Sequence, residues 1–338
     1  MSGSGHLWCC LVVLVPVLFA LSSTSHAGYP PLTLDYYASS CPTAVEIVRK
    51  EMECAVLSDP RNAALIIQLH FHDCFVQGCD GSVLLDDTIS IHSEKSAPTN
   101  SHSLGGFRII DRIKNILESE CPGIVSCADI LTVAARDATL LVGGPYWDVP
   151  LGRKDSKTAS YKLARTNLPT ANENLGSIIT KFLTQGLSVT DMVALAGAHT
   201  VGLAQCKNFR SRIYGDFEAT AGNGPIAEAH LSNLRSVCPP LEGTGDENLA
   251  PMDYVTPYLF DNTFYHLLLE GEGLLSSDQE MYSSILAAQT KEVVKRYAAD
   301  PIAFFEQFSE SMVKLGNITT PESFIEGEVR KNCRFINT

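Results

Sequence analysis

The sequence predicts a mainly α-helical protein without internal repeats. Apolar residues recur at helical spacing through most of the chain, and no stretch alternates apolar and polar residues for more than a few positions. Gly, Pro or an N-capping Ser or Thr punctuates the helical runs. With 338 residues, 45% of them hydrophobic, the chain can bury a large core and has room for two lobes.

Thr43–Leu57 is an amphipathic helix with Ala44, Ile47, Val48, Met52, Ala55 and Val56 on one side, stopped by Pro60. The stretch Ala64–Leu85 begins as an apolar helix. Its second half, with Cys74, Cys79, Gly78 and Gly81, is expected to leave the helix for a turn-rich loop. Asp86–Gly106 is a long polar loop, of the length that tends to carry function. Phe107–Glu120 reads as helix, broken by Pro122-Gly123, and Ser126–Val142 as another, with Ser126 as N-cap and Gly143-Gly144-Pro145 as stop. Tyr146–Arg153 and Asp155–Ser160 carry turns and short strand-like pieces. Leu175–Gln185, Thr190–Leu195 (capped by Thr190), Lys207–Tyr214 and Ala227–Val237 are further helices, followed by Pro257–Glu270, Ser284–Ala298 and Pro301–Leu315.

Residues 1–27 contain no Lys, Arg, Asp or Glu, and Leu7–Leu21 is a short apolar run. Ser25-His26-Ala27 then places small residues where a signal peptidase reads, so 1–27 is expected to be a secretory signal and 28–338 one working unit. The run is too short for a membrane span, and no later stretch qualifies. A formal charge of −13 makes nucleic acid and anionic lipid poor partners and suits neutral or cationic substrates. Of 11 Cys, Cys9 and Cys10 leave with the signal. The remaining odd number in a secreted chain implies disulfides and one thiol left over, in a connectivity that spacing does not give. Asn317-Ile318-Thr319 is the only N-glycosylation sequon.

The chemistry concentrates in Ala64–Leu85, which reads ALIIQLHFHDCFVQGCDGSVLL. Gln68 and His72 are four apart and share a helix face. An imidazole one turn from a neutral amide in an apolar helix reads as the wall of a reaction pocket, against the plainer reading of a hydrogen-bonded core histidine. Asp73, Asp80 and Ser82 bring oxygen ligands to a Gly-containing loop, against the plainer reading of a turn. Zinc ligation by His70, His72, Cys74 and Cys79 fits none of the usual zinc spacings. In Asp191–Gln205, His199 sits among Ala196, Gly197, Ala198 and Gly202, small residues that would let a flat group approach the backbone; the alternative is a core histidine. Asn100 and Asp278, taken alone, are ordinary loop residues.

FHDCFV-GCD-S-LL resembles the distal segment of the secretory (class III) haem peroxidases of plants, and the likeness extends over nearly all of Leu32–Asn337. The resemblance implies two helical lobes with haem between them: a distal lobe of roughly 28–150 plus the C-terminal tail, and a proximal lobe of roughly 170–320. It implies one haem b per chain, its iron bound by His199, with Asp278 as the carboxylate partner of that histidine. His72 becomes the base of the distal pocket, Asn100 the acceptor of its Nδ1–H, and Phe71 a shield over the iron. Pro169, in Asn167-Leu168-Pro169, falls at the edge where aromatic reductants donate electrons.

Two Ca²⁺ ions per chain are implied. Asp73, Val76, Gly78, Asp80 and Ser82 would hold one, with Glu94 supporting it through water. Thr200, Asp253, Thr256, Leu259 (by its carbonyl) and Asp261 would hold the other. The implied disulfides are Cys41–Cys121, Cys74–Cys79, Cys127–Cys333 and Cys206–Cys238, leaving Cys54 free as a buried small hydrophobe.

One position departs from the resemblance: where the family carries Arg, four residues before the distal histidine, this chain has Gln68. Gln can donate a hydrogen bond but brings neither charge nor a guanidinium fork. The expected activity is therefore reduction of H₂O₂ with one-electron oxidation of phenolic donors, slowed by Gln68, in a monomer secreted to the extracellular space or cell wall. The alternative is a haem-binding wall protein with weak peroxidase activity, acting in redox sensing or binding. A Ca²⁺-stabilised structural protein without haem would leave His199 and Asp278 without purpose.

Overall fold

A helix buried on every side organises the N-terminal half. The computed structural model describes residues 31–215 and 225–338, so the signal expected at 1–27 lies outside the described residues. In it, α1 (Ala44–Ser58), α2 (Arg61–Gln77) and α3 (Phe107–Glu120) all pack on α4 (Cys127–Leu141), whose residues from Cys127 to Thr139 are buried. One side of it is apolar, and the polar residues of the other, Asp129, Thr132, Arg136 and Thr139, can be buried because each has a hydrogen-bond partner. Ser126 caps it, its hydroxyl accepting from Asp129 N. α1 presents Ala44, Val48, Met52 and Val56, one residue per turn, and α3 presents Ile110, Ile113 and Leu117.

The chain continues through α5 (Tyr161–Asn167), α6 (Leu175–Thr184), α7 (Val189–Ala196), α8 (Cys206–Ile213) and α9 (Pro225–Val237). Then come α10 (Thr263–Glu270), α11 (Ser276–Ser283), α12 (Ala288–Ala299), α13 (Pro301–Gly316) and α14 (Pro321–Glu326). Among the described residues the one sheet is an antiparallel pair, β1 (Leu203–Gln205) on β2 (Leu249–Pro251), with Ala204 opposite Ala250. The mainly helical class holds. A large core spans both halves of the chain, and a smaller one gathers Phe209, Ile213, Leu234 and Leu275 around Cys206–Cys238.

Several local expectations are corrected. α2 runs on through Cys74 to Gln77, because Cys74, Phe75 and Val76 are all buried helix positions, and it stops only at Gly78, where φ is +87°. α7 is capped by Ser188 rather than Thr190; Ser188 and Asp191 form a reciprocal capping box. Pro257–Asn262 is not helical. Asp253 and Asp261 accept from the N–H groups of Val255, Thr256 and Thr263, and such local bonds hold turns against helix. Three short helices, α5, α11 and α14, carry too few residues to show a period. Among the described residues Cys54 is the free thiol, but it is exposed, not buried. It lies two residues from both Met52 and Val56, on the opposite side of α1 from the buried stripe.

Among the described residues four disulfides tie the chain: Cys41–Cys121, Cys74–Cys79, Cys127–Cys333 and Cys206–Cys238. The third anchors the C-terminal tail to the start of α4. There, Asp155 accepts from the backbone N–H of Cys127, Ala128 and Arg330, at 3.0, 2.9 and 2.8 Å. A buried ion pair adds a second tie: Arg153 Nη1 meets Asp129 Oδ1 at 2.8 Å, while its Nε and Nη2 donate to Gly316 O at the end of α13. Replacing Arg153 by Met would strand the Asp129 carboxylate, and is expected to lower stability by about 3–5 kcal/mol. Cys54→Ser on the solvent face should change stability by no more than about 0.5 kcal/mol. Chemical denaturation of both variants checks this, and an Arg153 variant within about 1 kcal/mol of the parent would mean the pair holds nothing.

Candidate active site

One stripe of α2 is left partly open. Ala64, Leu65, Gln68, Phe71 and His72 are half-buried, spaced as one helix face, whereas Ile66, Ile67, Leu69 and His70 are buried. His72 is held by a loop residue: its Nδ1 lies 2.7 Å from Asn100 Oδ1. Asn100 is itself buried and donates from Nδ2 to Glu94 O at 2.9 Å, which fixes its amide with the oxygen toward the histidine. An amide oxygen only accepts, so the proton sits on His72 Nδ1 and Nε2 stays bare. Burial lowers the His72 pKa to about 4, the charge of nearby His199 acting in the same direction and the Asn100 bond against it. Gln68, one turn earlier, donates from Nε2 to Ser103 Oγ at 3.1 Å.

His199 stands in a 3₁₀ turn, Gly197–Thr200, directly after α7. Its Nδ1 lies 3.0 and 3.1 Å from the two oxygens of Asp278, in the first turn of α11. The Asp278 side chain is only 6% exposed, while His199 keeps 38% of its side-chain surface accessible. The imidazole is thus gripped from behind and open in front. Burial pulls its pKa down, but the charge and hydrogen bond of Asp278 together outweigh this, and the net shift is upward. The glycines nearby serve packing more than approach of a flat group: a Cβ on Gly197 would strike Tyr265 and Phe304, and one on Gly202 would come within 2.9 Å of Ala64 Cβ on α2.

Two imidazoles, each committed at Nδ1, thus lie near enough for the charge of one to be felt by the other. The family model described as Peroxidase matches residues 48–300. The chain belongs to the peroxidase family. It is 67% identical to Peroxidase 11 of Arabidopsis thaliana over 308 residues, covering 91% of this chain and 92% of that one. It is 47% identical to Peroxidase 49 of the same plant over 332 residues (97% and 96%), and 44% identical to Peroxidase 4 of Vitis vinifera over 327 residues (97% and 98%). This peroxidase is a plant haem enzyme by family, and haem and calcium are the cofactors that its family implies.

The residues present fit those groups. For haem, the fit is the pair of histidines just described, both with accessible rings. For a hard cation, it is a cluster of buried oxygens beside His72. Asp73 takes N–H bonds from Gly81 at 2.9 Å and Val83 at 3.4 Å, Asp80 accepts from Ser82 N at 3.0 Å, and Glu94 accepts from Ser160 N at 3.0 Å. Glu94 Oε2 and Ser82 Oγ are buried without a hydrogen bond. Burial pushes Glu94 up to about 8 and Asp80 up to about 6; Asp73 is raised by burial and by the Asp80 charge. Crowded carboxylates of this kind want a cation among them. Val76 lies in the last turn of α2 and Gly78 is its C-cap, so their carbonyls have no helical partner.

A second oxygen cluster adjoins His199. Thr200 Oγ1 donates to Asp253 Oδ2 at 3.2 Å or Asp261 Oδ1 at 3.1 Å, and Thr256 Oγ1 meets Asp253 Oδ2 at 3.3 Å. Leu259 lies in the same turn, its N–H on Thr256 O, with an exposed side chain. The zinc reading falls: His70, Cys74 and Cys79 come together, but the two sulfurs are bonded to each other and offer no thiolate. Phe71 stacks on Phe75, Pro169 follows the buried Leu168 at the end of α5, and Asn317 is exposed after α13.

Sequence reading missed Ser103, the partner of Gln68. Nothing local in Ser101-His102-Ser103 marks it, since only the folded loop brings it to α2. Replacing Asn100 by Ala would leave the His72 Nδ1–H without an acceptor. Peroxide turnover is expected to fall about 10- to 100-fold. Steady-state assay of the haem-loaded variant checks this, and unchanged turnover would mean that His72 is oriented without Asn100.

Proposed function

We propose that this peroxidase reduces H₂O₂ and oxidises small phenolic donors in one-electron steps, with one haem b between His72 and His199. The observation that carries it is the matched pair of Nδ1 acceptors, Asn100 for one histidine and Asp278 for the other. Relatives named as peroxidases across nearly the whole chain support the enzyme over a binding or sensing protein.

Haem, when bound, would supply the redox-active iron needed for electron transfer between donors and peroxide. His199 would hold that iron through Nε2. Asp278, accepting the Nδ1–H, makes the imidazole a more basic ligand. His72 Nε2 takes a proton from one peroxide oxygen and returns it to the other, so that water can leave. Asn100 keeps His72 in the tautomer this requires, and its depressed pKa keeps it neutral. Gln68 supplies a neutral hydrogen bond to the charge that develops as the two oxygens part. Phe71 limits access from above, and donors approach at the Pro169 edge.

Two Ca²⁺ per chain complete the reading, one on Asp73, Val76, Gly78, Asp80 and Ser82 with Glu94 behind, one on Thr200, Asp253, Thr256, Leu259 and Asp261. Each site abuts one histidine in sequence. The signal at 1–27 would deliver the remaining 28–338 to the cell exterior or wall as a monomer, with Asn317 open to glycosylation. Among the described residues no helix is long and apolar enough to cross a membrane. The two lobes would divide as roughly 28–150 with the tail, and roughly 170–320.

Loss of one preorganised donor costs about 2.7–4 kcal/mol, or roughly 100- to 1000-fold in rate. Gln68 retains a donor, so its deficit relative to Arg belongs at the low end. Stopped-flow Soret spectroscopy of haem-loaded protein mixed with H₂O₂ tests the reading: Gln68→Arg is expected to react faster by tens-fold or more, and an unchanged rate would remove Gln68 from the proton chemistry. For calcium, chelation is expected to lower stability by about 2.7 kcal/mol per ion when free Ca²⁺ stands 100-fold above its dissociation constant. Thermal unfolding with EGTA, then with Ca²⁺ or Mg²⁺ restored, reads this; indifference to the chelator would sink both sites.

A further inference from the structure

We propose that Ser103 is a positioning residue for peroxide reaction, holding the Gln68 amide so that its second N–H is aimed for donation. The inference rests on Gln68 being the hydrogen-bond donor of the distal pocket.

The geometry is that of one turn clipped to another. Asn100 O accepts from the backbone N–H of Ser103 and of Leu104, both at 3.0 Å, so residues 100–103 form a tight turn. The side chains at its two ends reach α2 at positions one helical turn apart: Asn100 bonds His72, and Ser103 bonds Gln68. The loop continues along the same helix, with Gly105 on Leu65 and Gly106 on Ile66. From the other side, Gln205 Nε2 on β1 donates to His102 O at 2.8 Å. His102 itself has φ +59°, a backbone conformation L side chains rarely adopt, so the turn is held in shape by its contacts.

A guanidinium is a rigid fork that brings several donors in fixed directions. A glutamine amide has two N–H groups and a flexible stem. Spending one N–H on Ser103 Oγ sets the plane of the amide, and the planar NH₂ group then fixes the direction of the other. In this chain a loop hydroxyl takes over part of the preorganisation that an arginine would carry within its own side chain.

The test uses the haem-loaded protein and three readouts: the second-order rate with H₂O₂, the cyanide dissociation constant from a Soret titration, and the thermal midpoint. Ser103→Ala is expected to slow peroxide reaction and weaken cyanide binding by about 2- to 12-fold, the worth of one neutral hydrogen bond. Ser103→Thr, which keeps the hydroxyl, should restore both. In a Gln68→Leu background, Ser103→Ala should bring no further loss, because there is no amide left to orient. A Ser103→Ala protein with parental rate and cyanide affinity, or an equal loss in both backgrounds, would overturn the inference. If Gln68→Leu is itself as fast as the parent, Gln68 is no donor, and the reading on which the inference stands fails instead. A slow Gln68→Leu beside an unaffected Ser103→Ala refutes the Ser103 role alone.

Discussion

An imidazole has two nitrogens, and what one can do is set by what the other is given. At His72 the partner is an amide oxygen that can only accept, so a proton sits on Nδ1, and burial keeps the ring neutral with Nε2 a bare lone pair. At His199 the partner is a buried carboxylate, so the ring is electron-rich and inclined toward positive charge. The same side chain is thereby suited to act as a base in one place and as a strong ligand in the other. Much of the surrounding structure serves to deliver these two acceptors.

Delivery is indirect at both sites. Asn100 reaches His72 from a loop whose other ties are Glu94 O, the Gln205 amide and the glycines packed on α2. Glu94 holds Asn100 with its carbonyl and points its carboxylate into the oxygen cluster with Asp80. A hard cation in that cluster would stiffen the same loop that orients the distal ring. Asp73 continues the helix immediately after His72, and Thr200 follows His199, so both rings are one peptide unit from an oxygen-rich anchor. Gln68 joins the scheme through Ser103, on the turn that carries Asn100.

The frame around the site depends on long-range ties made by short pieces of chain. Arg153 joins Asp129 on α4 to the end of α13, Asp155 gathers the start of α4 and the tail, and Cys127–Cys333 locks that junction. The backbone of Cys79 reaches Ile318, so the oxygen-rich loop is seated on the same end of α13. Gly202 lies against Ala64 with no room for a side chain, setting the approach of the proximal turn to the distal helix.

The helical class, the bounds of α3 and most of α1, α4 and α13, and the importance of Ala64–Leu85 were legible because they rest on local periodicity and on residue types at fixed spacing. Local reading failed where a few long-range contacts decide the outcome. Burial of Cys74, Phe75 and Val76 carried α2 past its expected end, and aspartate side chains kept Pro257–Asn262 out of helix. Cys54 came out exposed because a single leftover cysteine says nothing about which side of a helix it occupies. Asp278 is an ordinary acid in the sequence and becomes the partner of His199 only once α11 is placed behind it, 79 positions along the chain. Ser103 carries no local mark at all. Residue type and spacing determined which groups could do chemistry; only folding, which alone brings distant acceptors within 3 Å, decided which nitrogen of each histidine was left free to do it.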